Sequence, residues 1–302
     1  MKNGAICGGL LFLIVLMSCD LTQNNDAIPE SPNNYHFKQV ILDDVESMRD
    51  DYYTQGMNWV KGTGPFGTLD SNGIPIVHYS FGDYRNPVTT CGNAIGFYQR
   101  YLREHDESDL AYFLNNADWL LETMDENGYL HYEFDYTHGG QFLNQGWTSG
   151  MAQGEVLSVL SIAYNLTSDD KYLSGAELVF STFSDSTSEY RFVVIEDDYL
   201  YLEEYPSPDS CHVLNGFIFG MWGLWDFYTV TESEESLRLF KGSLKTVLDN
   251  YYDWYLSENK TVSCLHGGYY ENYHKLHLIL MQSLFDLTKM TDFLTIRLIY
   301  AH

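Results

Sequence analysis

Residues 149–173 read SGMAQGEVLSVLSIAYNLTSDDKYL, and the fold is decided there. Met151, Val156, Val159, Leu160, Ala163 and Tyr164 recur at near-helical spacing, which predicts a helix over 149–166. The segment Thr167-Ser168-Asp169-Asp170 suits a turn and the cap of a second helix, 169–183. The same sentence is written elsewhere in the chain. Tyr101, Tyr164, Tyr228 and Phe285 each end an apolar stretch, and Leu110, Leu173, Leu237 and Leu294 follow nine residues later. The copies stand roughly 60 residues apart, longer than common solenoid repeats. First helices are expected at about 90–104, 149–166, 211–229 and 273–288, and second helices at about 108–124, 169–183, 233–254 and 292–302. The first helices are the more apolar, so they form an inner ring and the second helices an outer one. The fold class is all-α: an incomplete α/α toroid of about four helical hairpins, with short β segments in the long links.

Those links, 125–148, 185–210 and 255–272, are rich in Gly, Tyr, Trp and Asp and open at one end of the toroid. Long irregular segments in a compact domain carry function more often than not. Short strands are expected at Ile74–Phe81 and Tyr190–Ile195. The chain holds 25 Tyr and is 16% aromatic. A cleft walled by Tyr offers flat apolar faces with hydrogen-bonding tips, which suits sugar rings, although most individual Tyr are packing residues.

Ahead of the domain, Lys2, an apolar run from Ile6 to Met17 and the sequence Leu16-Met17-Ser18-Cys19 resemble a bacterial lipoprotein leader. An ordinary secretory leader is the alternative, and both put the protein outside the cytoplasm. The expected organisation is 1–19 signal peptide and lipobox with Cys19 lipidated, 20–34 a flexible tether, and 35–302 one domain. A membrane contact through the lipid anchor follows, in the bacterial cell envelope; a homodimer is compatible with the sequence. Of the remaining cysteines, Cys91, Cys211 and Cys264, no pair has CxxC spacing. Buried unpaired thiols are the preferred reading over one disulfide, and no metal is expected. The net charge of −26 argues against a nucleic-acid partner, and it sits awkwardly with any polyanion.

Three polar clusters open inner helices: Trp147 to Gly154, Glu203-Glu204-Tyr205-Pro206 with Asn215-Gly216-Phe217, and Tyr273-His274-Lys275-Leu276-His277. Each alone has a bland reading as a helix entrance. His274 and His277 lack a third metal ligand, and neither a serine-nucleophile elbow nor a phosphate loop is present. Together, and in this order, the clusters resemble the C-terminal domain of the D-glucuronyl C5-epimerase family, from about residue 140 to the C-terminus and more weakly from Asn72. The family's toroid agrees with the hairpin repeat.

The resemblance implies inversion at C5 of glucuronate within a polysaccharide, with no cofactor: a base removes the C5 proton and an acid returns one to the other face. It implies catalytic roles for Tyr205 and Tyr273 with Glu204 in support, substrate contacts from Asn215 and Gln153, and positive charge from His274 and His277. A tyrosine base requires its pKa brought down from about 10. At 261–266 the family's Thr-Ile-Tyr-Asp-Leu-Arg reads Thr-Val-Ser-Cys-Leu-His, so Ser263 stands for a tyrosine acid and His266 for the carboxylate-binding arginine. Tyr255, Tyr269 and Tyr270 are the candidates to replace that tyrosine. A uronate polysaccharide lyase and an inactive carbohydrate-binding toroid are the alternatives, with a glycoside hydrolase using Glu204 and Asp135 or Asp209 behind them.

Overall fold

The computed structural model describes residues 35–48 and 68–302. The expected leader, the expected lipidation residue Cys19 and the expected tether lie outside the described residues. Inner helices α1 (Pro87–Glu104), α3 (Gly150–Thr167), α5 (Leu214–Thr231) and α7 (Glu271–Thr288) alternate with outer helices α2 (Glu107–Thr123), α4 (Asp170–Thr182), α6 (Glu234–Asn250) and α8 (Thr291–Ala301). Neighbouring inner helices pack in chain order, α1 on α3, α3 on α5 and α5 on α7, each backed by its own outer helix. This is the α/α toroid. The inner position is legible in the burial: every residue of α3 from Gly150 to Ala163 and of α5 from Leu214 to Tyr228 is buried. The outer helix α6 buries one stripe, including Leu237, Phe240, Leu244 and Val247.

The repeat unit is larger than helical periodicity predicts, because an antiparallel β-hairpin precedes every inner helix. Strands β1 (Thr68–Leu69), β2 (Pro75–Tyr79) and β3 (Gly82–Tyr84) precede α1, and β4 (Tyr136–His138) with β5 (Gln141–Leu143) precede α3. Likewise β6 (Val193–Glu196) with β7 (Tyr199–Leu202) precede α5, and β8 (Tyr255–Ser257) with β9 (Lys260–Thr261) precede α7. The closing pairs Tyr79↔Gly82, His138↔Gln141, Glu196↔Tyr199 and Ser257↔Lys260 leave two-residue turns in all four hairpins. Gly139-Gly140 and Asp197-Asp198 adopt positive φ at both turn positions, the twist that matches a hairpin. Expected helix 233–254 instead ends at Asn250 and continues as a 3-10 turn, Tyr251–Trp254.

One device ends all four inner helices. His105, Ser168, Glu232 and Lys289 sit in the left-handed region with φ between 54° and 58°. Their backbone N–H groups donate to the carbonyls of Tyr101, Tyr164, Tyr228 and Phe285 at 2.7–2.8 Å, the residues that mark the sequence repeat. In three copies a threonine adds a clasp: Thr167, Thr231 and Thr288 donate to the carbonyl four residues back at 2.7 Å. Each then accepts the N–H two residues on, from Asp169, Ser233 or Met290. Asp106, Asp169 and Ser233 cap the outer helices as expected, whereas Met290 offers α8 no side-chain cap.

The cysteine expectation is corrected. Cys211 and Cys264 form a disulfide across 53 residues, joining the links that lead into α5 and α7, while Cys91 is a buried thiol outside the bridge. The links fold against one another, with Leu265 N–H on Cys211 O at 2.8 Å. That proximity is invisible to a reading of cysteine spacing.

Candidate active site

Two adjacent glutamates of the β7–α5 link do opposite jobs. Glu203 is buried and turned inward: its carboxylate accepts the backbone N–H groups of Cys211 and His212 and pairs with the His212 ring. The ring stacks on Tyr201 at 3.7 Å, with Glu196 at 3.4 Å from its other nitrogen. Burial alone would lower the His212 pKa, but the Glu203 hydrogen bond and charge raise it. Glu203 carbonyl also receives Gly150 N–H at 2.8 Å, docking the start of α3 against the link. Glu203 is therefore the structural half of the pair.

Glu204 faces a cavity of about 160 Å³ lined by Tyr79, Asn86, Tyr132, Phe134, Tyr136, Trp147 and Tyr205, among others. A Cβ on Gly216 would lie 2.1 Å from Glu204 Oε2, so a glycine in the first turn of α5 makes room for the carboxyl. That oxygen has no hydrogen-bond partner among the described residues. Burial pushes the Glu204 pKa up to about 7, the neighbouring Tyr205 hydroxyl opposing and the charges of Glu155 and Glu203 adding to the rise. A carboxyl that exchanges its proton near neutrality is suited to acid–base chemistry.

Tyr205 stands beside it, its ring 4.0 Å from His138, 5.5 Å from Tyr136 and 5.8 Å from Trp147. Burial, and then the Glu204 charge, drive its pKa well above the usual tyrosine value, the reverse of what a free phenolate base requires. The other wall is an alternating run. Tyr132, Phe134, Tyr136 and His138 project at period two from the link before α3. Tyr132 stacks on Trp147 at 3.9 Å, and Trp147 Nε1 donates to Phe134 O. Asn86 caps α1 through its oxygen and donates from its nitrogen to the Tyr79 hydroxyl. These aromatics were predicted only as a class. The signal that marks them is the alternation itself, H-Y-E-F-D-Y-T-H at 131–138, in a segment with no helical period.

The remaining expected residues divide. Asn215 is buried in the first turn of α5 with Oδ1 unpartnered among the described residues. Tyr273, on the first turn of α7, is 42% exposed. Burial raises its pKa, and so do the Glu204 and Tyr136 charges, although Tyr273 is not among the cavity's lining residues. Gln153 is fully committed elsewhere: its oxygen accepts Leu130 N–H and its nitrogen donates to Gly128 O and Thr182, strapping the 125–134 link to α3 and α4. Its expected substrate contact is corrected to this structural role. Nor do His274 and His277 bring positive charge. Both hydrogen-bond Thr261 Oγ1, at 3.2 and 2.8 Å. Burial lowers both pKa values, that of His277 to about 3 with His274 adding to the fall.

His266 lies 3.8 Å from Asp209, beside the β4–β5 turn rather than in the cavity lining. Ser263 is buried and its carbonyl accepts Leu214 N–H, so backbone from that position caps α5. Tyr255, Tyr269 and Tyr270 are not among the cavity's lining residues. His138 and the sulfurs of Cys211 and Cys264 have ligand atoms within 4.8 Å of one another, the one such His/Cys/carboxylate group among the described residues. Sulfurs joined in a disulfide offer no thiolate to a metal.

Fold and cleft together define an α/α toroid with a tyrosine-walled cavity and one carboxyl, Glu204, in its lining. The family model described as D-glucuronyl C5-epimerase C-terminus matches residues 124–301, and the chain belongs to that family. It is 29% identical over 146 residues to the D-glucuronyl C5-epimerase of Caenorhabditis elegans, covering 46% of this chain and 24% of that protein. The chain thus spans about a quarter of the worm enzyme's length. An uncharacterized protein of Methanocaldococcus jannaschii is 24% identical over 261 residues, 74% of this chain and 81% of its own. Among solved structures, a family 76 α-mannanase of Bacteroides thetaiotaomicron superposes with TM-score 0.51 at 16% identity, covering 87% of this chain and 74% of that one. Cellobiose 2-epimerase of Bacillus thermoamylovorans gives 0.50 at 14% identity, covering 84% and 69%. At these identities the superpositions bear on the fold.

Proposed function

We propose that this protein inverts C5 of D-glucuronate residues within a polysaccharide by proton abstraction and return. The observation that carries this reading is the Glu204–Tyr205 pair in the aromatic cavity. The raised Tyr205 pKa turns the expected phenolate base into a relay. As the Tyr205 oxygen takes the C5 proton, the Tyr205 proton passes to the Glu204 carboxylate. The C5–H electron pair moves into the substrate carboxylate as an enolate. A carboxyl titrating near 7 makes this transfer accessible without a cationic residue in the lining. The aromatic walls hold the sugar ring.

The test is incubation of glucuronate-containing polymers in heavy water, read by NMR. Deuterium at C5 together with iduronate signals supports the reading. An unsaturated, ultraviolet-absorbing product moves the assignment to a lyase, and binding without exchange moves it to a carbohydrate-binding protein. We further propose that the chain works at the bacterial cell envelope through a lipid on Cys19. Cys19→Ala then releases the protein from the membrane fraction; retention there overturns the anchor.

A further inference from the structure

We propose that Phe81, on the β2–β3 turn, is a second sugar subsite: a stacking platform outside the cavity that takes an uncharged pyranose neighbouring the glucuronate in the polymer. This rests on the reading above of a glucuronate polymer as substrate. A residue inside a polymer has neighbours, and they must lie outside a cavity that encloses the residue itself. Single exposed rings are ordinary on a protein surface. Phe81 is 52% exposed but not isolated. Its ring stacks on Tyr79 at 5.0 Å and 12°, and it meets Phe134 at 5.5 Å and Tyr84 at 5.9 Å. Tyr79 and Phe134 line the cavity. Of the exposed aromatic side chains among the described residues, Phe81 alone is in ring contact with that lining.

The wall is thus continuous from floor to rim. Ring contacts run from Tyr205 to Tyr136 at 5.5 Å, from Tyr136 to Phe134 at 6.4 Å, and from Phe134 to the exposed Phe81. With Tyr79 flat against one face, the exposed area of Phe81 lies on the other face and the edge. The ring is also held in place before any ligand arrives. The closing pair Tyr79↔Gly82 leaves Ser80-Phe81 as the turn, and a Cβ on Gly82 would lie 2.8 Å from the Tyr84 ring, so the turn sits tight against Tyr84. On the opposite face of the hairpin, His78 bonds both Asp83 at 2.7 Å and Thr68 at 2.8 Å, tying three strands together. A ring fixed in advance loses little freedom when a ligand docks on it. The face of an aromatic ring carries negative charge density, which suits the C–H face of a pyranose and disfavours a carboxylate. The rings around Phe81 are uncharged, so the favoured occupant is a neutral sugar and not a second uronate.

The experiment measures binding by calorimetry and saturation-transfer NMR for wild type, Phe81→Ala, Phe81→Trp and Phe142→Ala. The probes are methyl glucuronoside, a hexasaccharide alternating glucuronate with an uncharged hexose, and a hexasaccharide of glucuronate alone. Phe81→Ala is expected to weaken the alternating hexasaccharide by about five- to tenfold and to leave the glycoside within about twofold of wild type, as loss of one ring face outside the cavity requires. Phe81→Trp restores a flat face and should bind the alternating hexasaccharide at least as well as wild type. Phe142, 60% exposed on the neighbouring β4–β5 hairpin, is the control, and Phe142→Ala should bind as wild type. Unchanged binding of the alternating hexasaccharide by Phe81→Ala overturns the subsite, as does an equal loss for the glycoside or in Phe142→Ala. A Phe81→Trp protein as weak as Phe81→Ala, with a wild-type thermal midpoint, also overturns it. An equal loss for the all-glucuronate hexasaccharide overturns the uncharged occupant. Wild type that binds in the expected pattern but exchanges no C5 proton in heavy water keeps the subsite and removes the epimerase reading; wild type that binds none of the probes removes both.

Discussion

On the proposed reaction, Glu204 couples catalysis to stability with opposite signs. Its pKa of about 7 in the fold lies above its ordinary value of 4.5, so the folded chain keeps a proton there that the unfolded chain has released. The stabilising protonated form is fully present below 4.5, and its contribution is lost as pH rises to about 7. Chemistry that uses the carboxylate runs the other way and rises through the same window. Glu204→Gln cannot ionise, so it is expected to abolish C5 exchange and to be more stable than wild type at pH 8 by roughly 3 kcal/mol. Denaturant midpoints of the two proteins at pH 5 and pH 8 check this, since the advantage should shrink at the lower pH. His212 provides a second pH-linked term, fully present below 6.5 and lost as pH rises through its raised value. Glu203→Gln should remove much of that dependence, and a Glu203→Gln protein with an unchanged pH profile would contradict it.

At the scale of elements, the inner helices meet backbone to backbone. A Cβ on Gly154 would lie 2.3 Å from Gly220 O, and one on Gly223 would lie 1.8 Å from Gly154 O. Packed helices have no slack to absorb such an intrusion. Gly154→Ala is therefore expected to destabilise the fold by roughly 2 kcal/mol or more, despite alanine's better helix propensity. Ser168→Gly should act in the opposite direction, gaining about 1 kcal/mol because a left-handed helix end is strained for any residue with a Cβ. Thermal unfolding of the two variants reads both signs. These helices were legible in the sequence because their period is local: Tyr164 and Leu173 stand at the same offset as Tyr228 and Leu237. The hairpins were legible in part: β2 and β6 stand where strands were expected, at Ile74–Phe81 and Tyr190–Ile195, while the hairpins before α3 and α7 were not foreseen. Their strands are two to five residues long, so a short alternation is easily passed over, and Asp197-Asp198 looks like any acidic loop. The site was half legible. Glu204 and Tyr205 lie in a recognisable motif, but Tyr136 enters by a hairpin and Gln153 is diverted by a tertiary strap that no spacing encodes.

At the scale of the whole molecule, the disulfide and the charge bear on how the cleft is held and approached. Cys211–Cys264 closes a 53-residue loop containing α5 and α6. Removing it with Cys264→Ser should cost roughly 2–4 kcal/mol, and wild type treated with reductant should match the variant. Approach of substrate is set by a different quantity. The chain carries 42 Asp and Glu against 16 Lys and Arg, net −26, and the cavity lining contains neither Lys nor Arg. Two polyanions repel at long range, and salt screens that repulsion over a Debye length of about 10 Å at 0.1 M. Binding of a glucuronate polymer should therefore strengthen as sodium chloride rises from about 10 to 150 mM, with the gain mostly in the association rate. A reduced, uncharged version of the same polymer should show almost no salt dependence. If the charged polymer binds more weakly as salt is added, a cationic surface outside the cavity captures it, and the aromatic walls alone do not account for recognition.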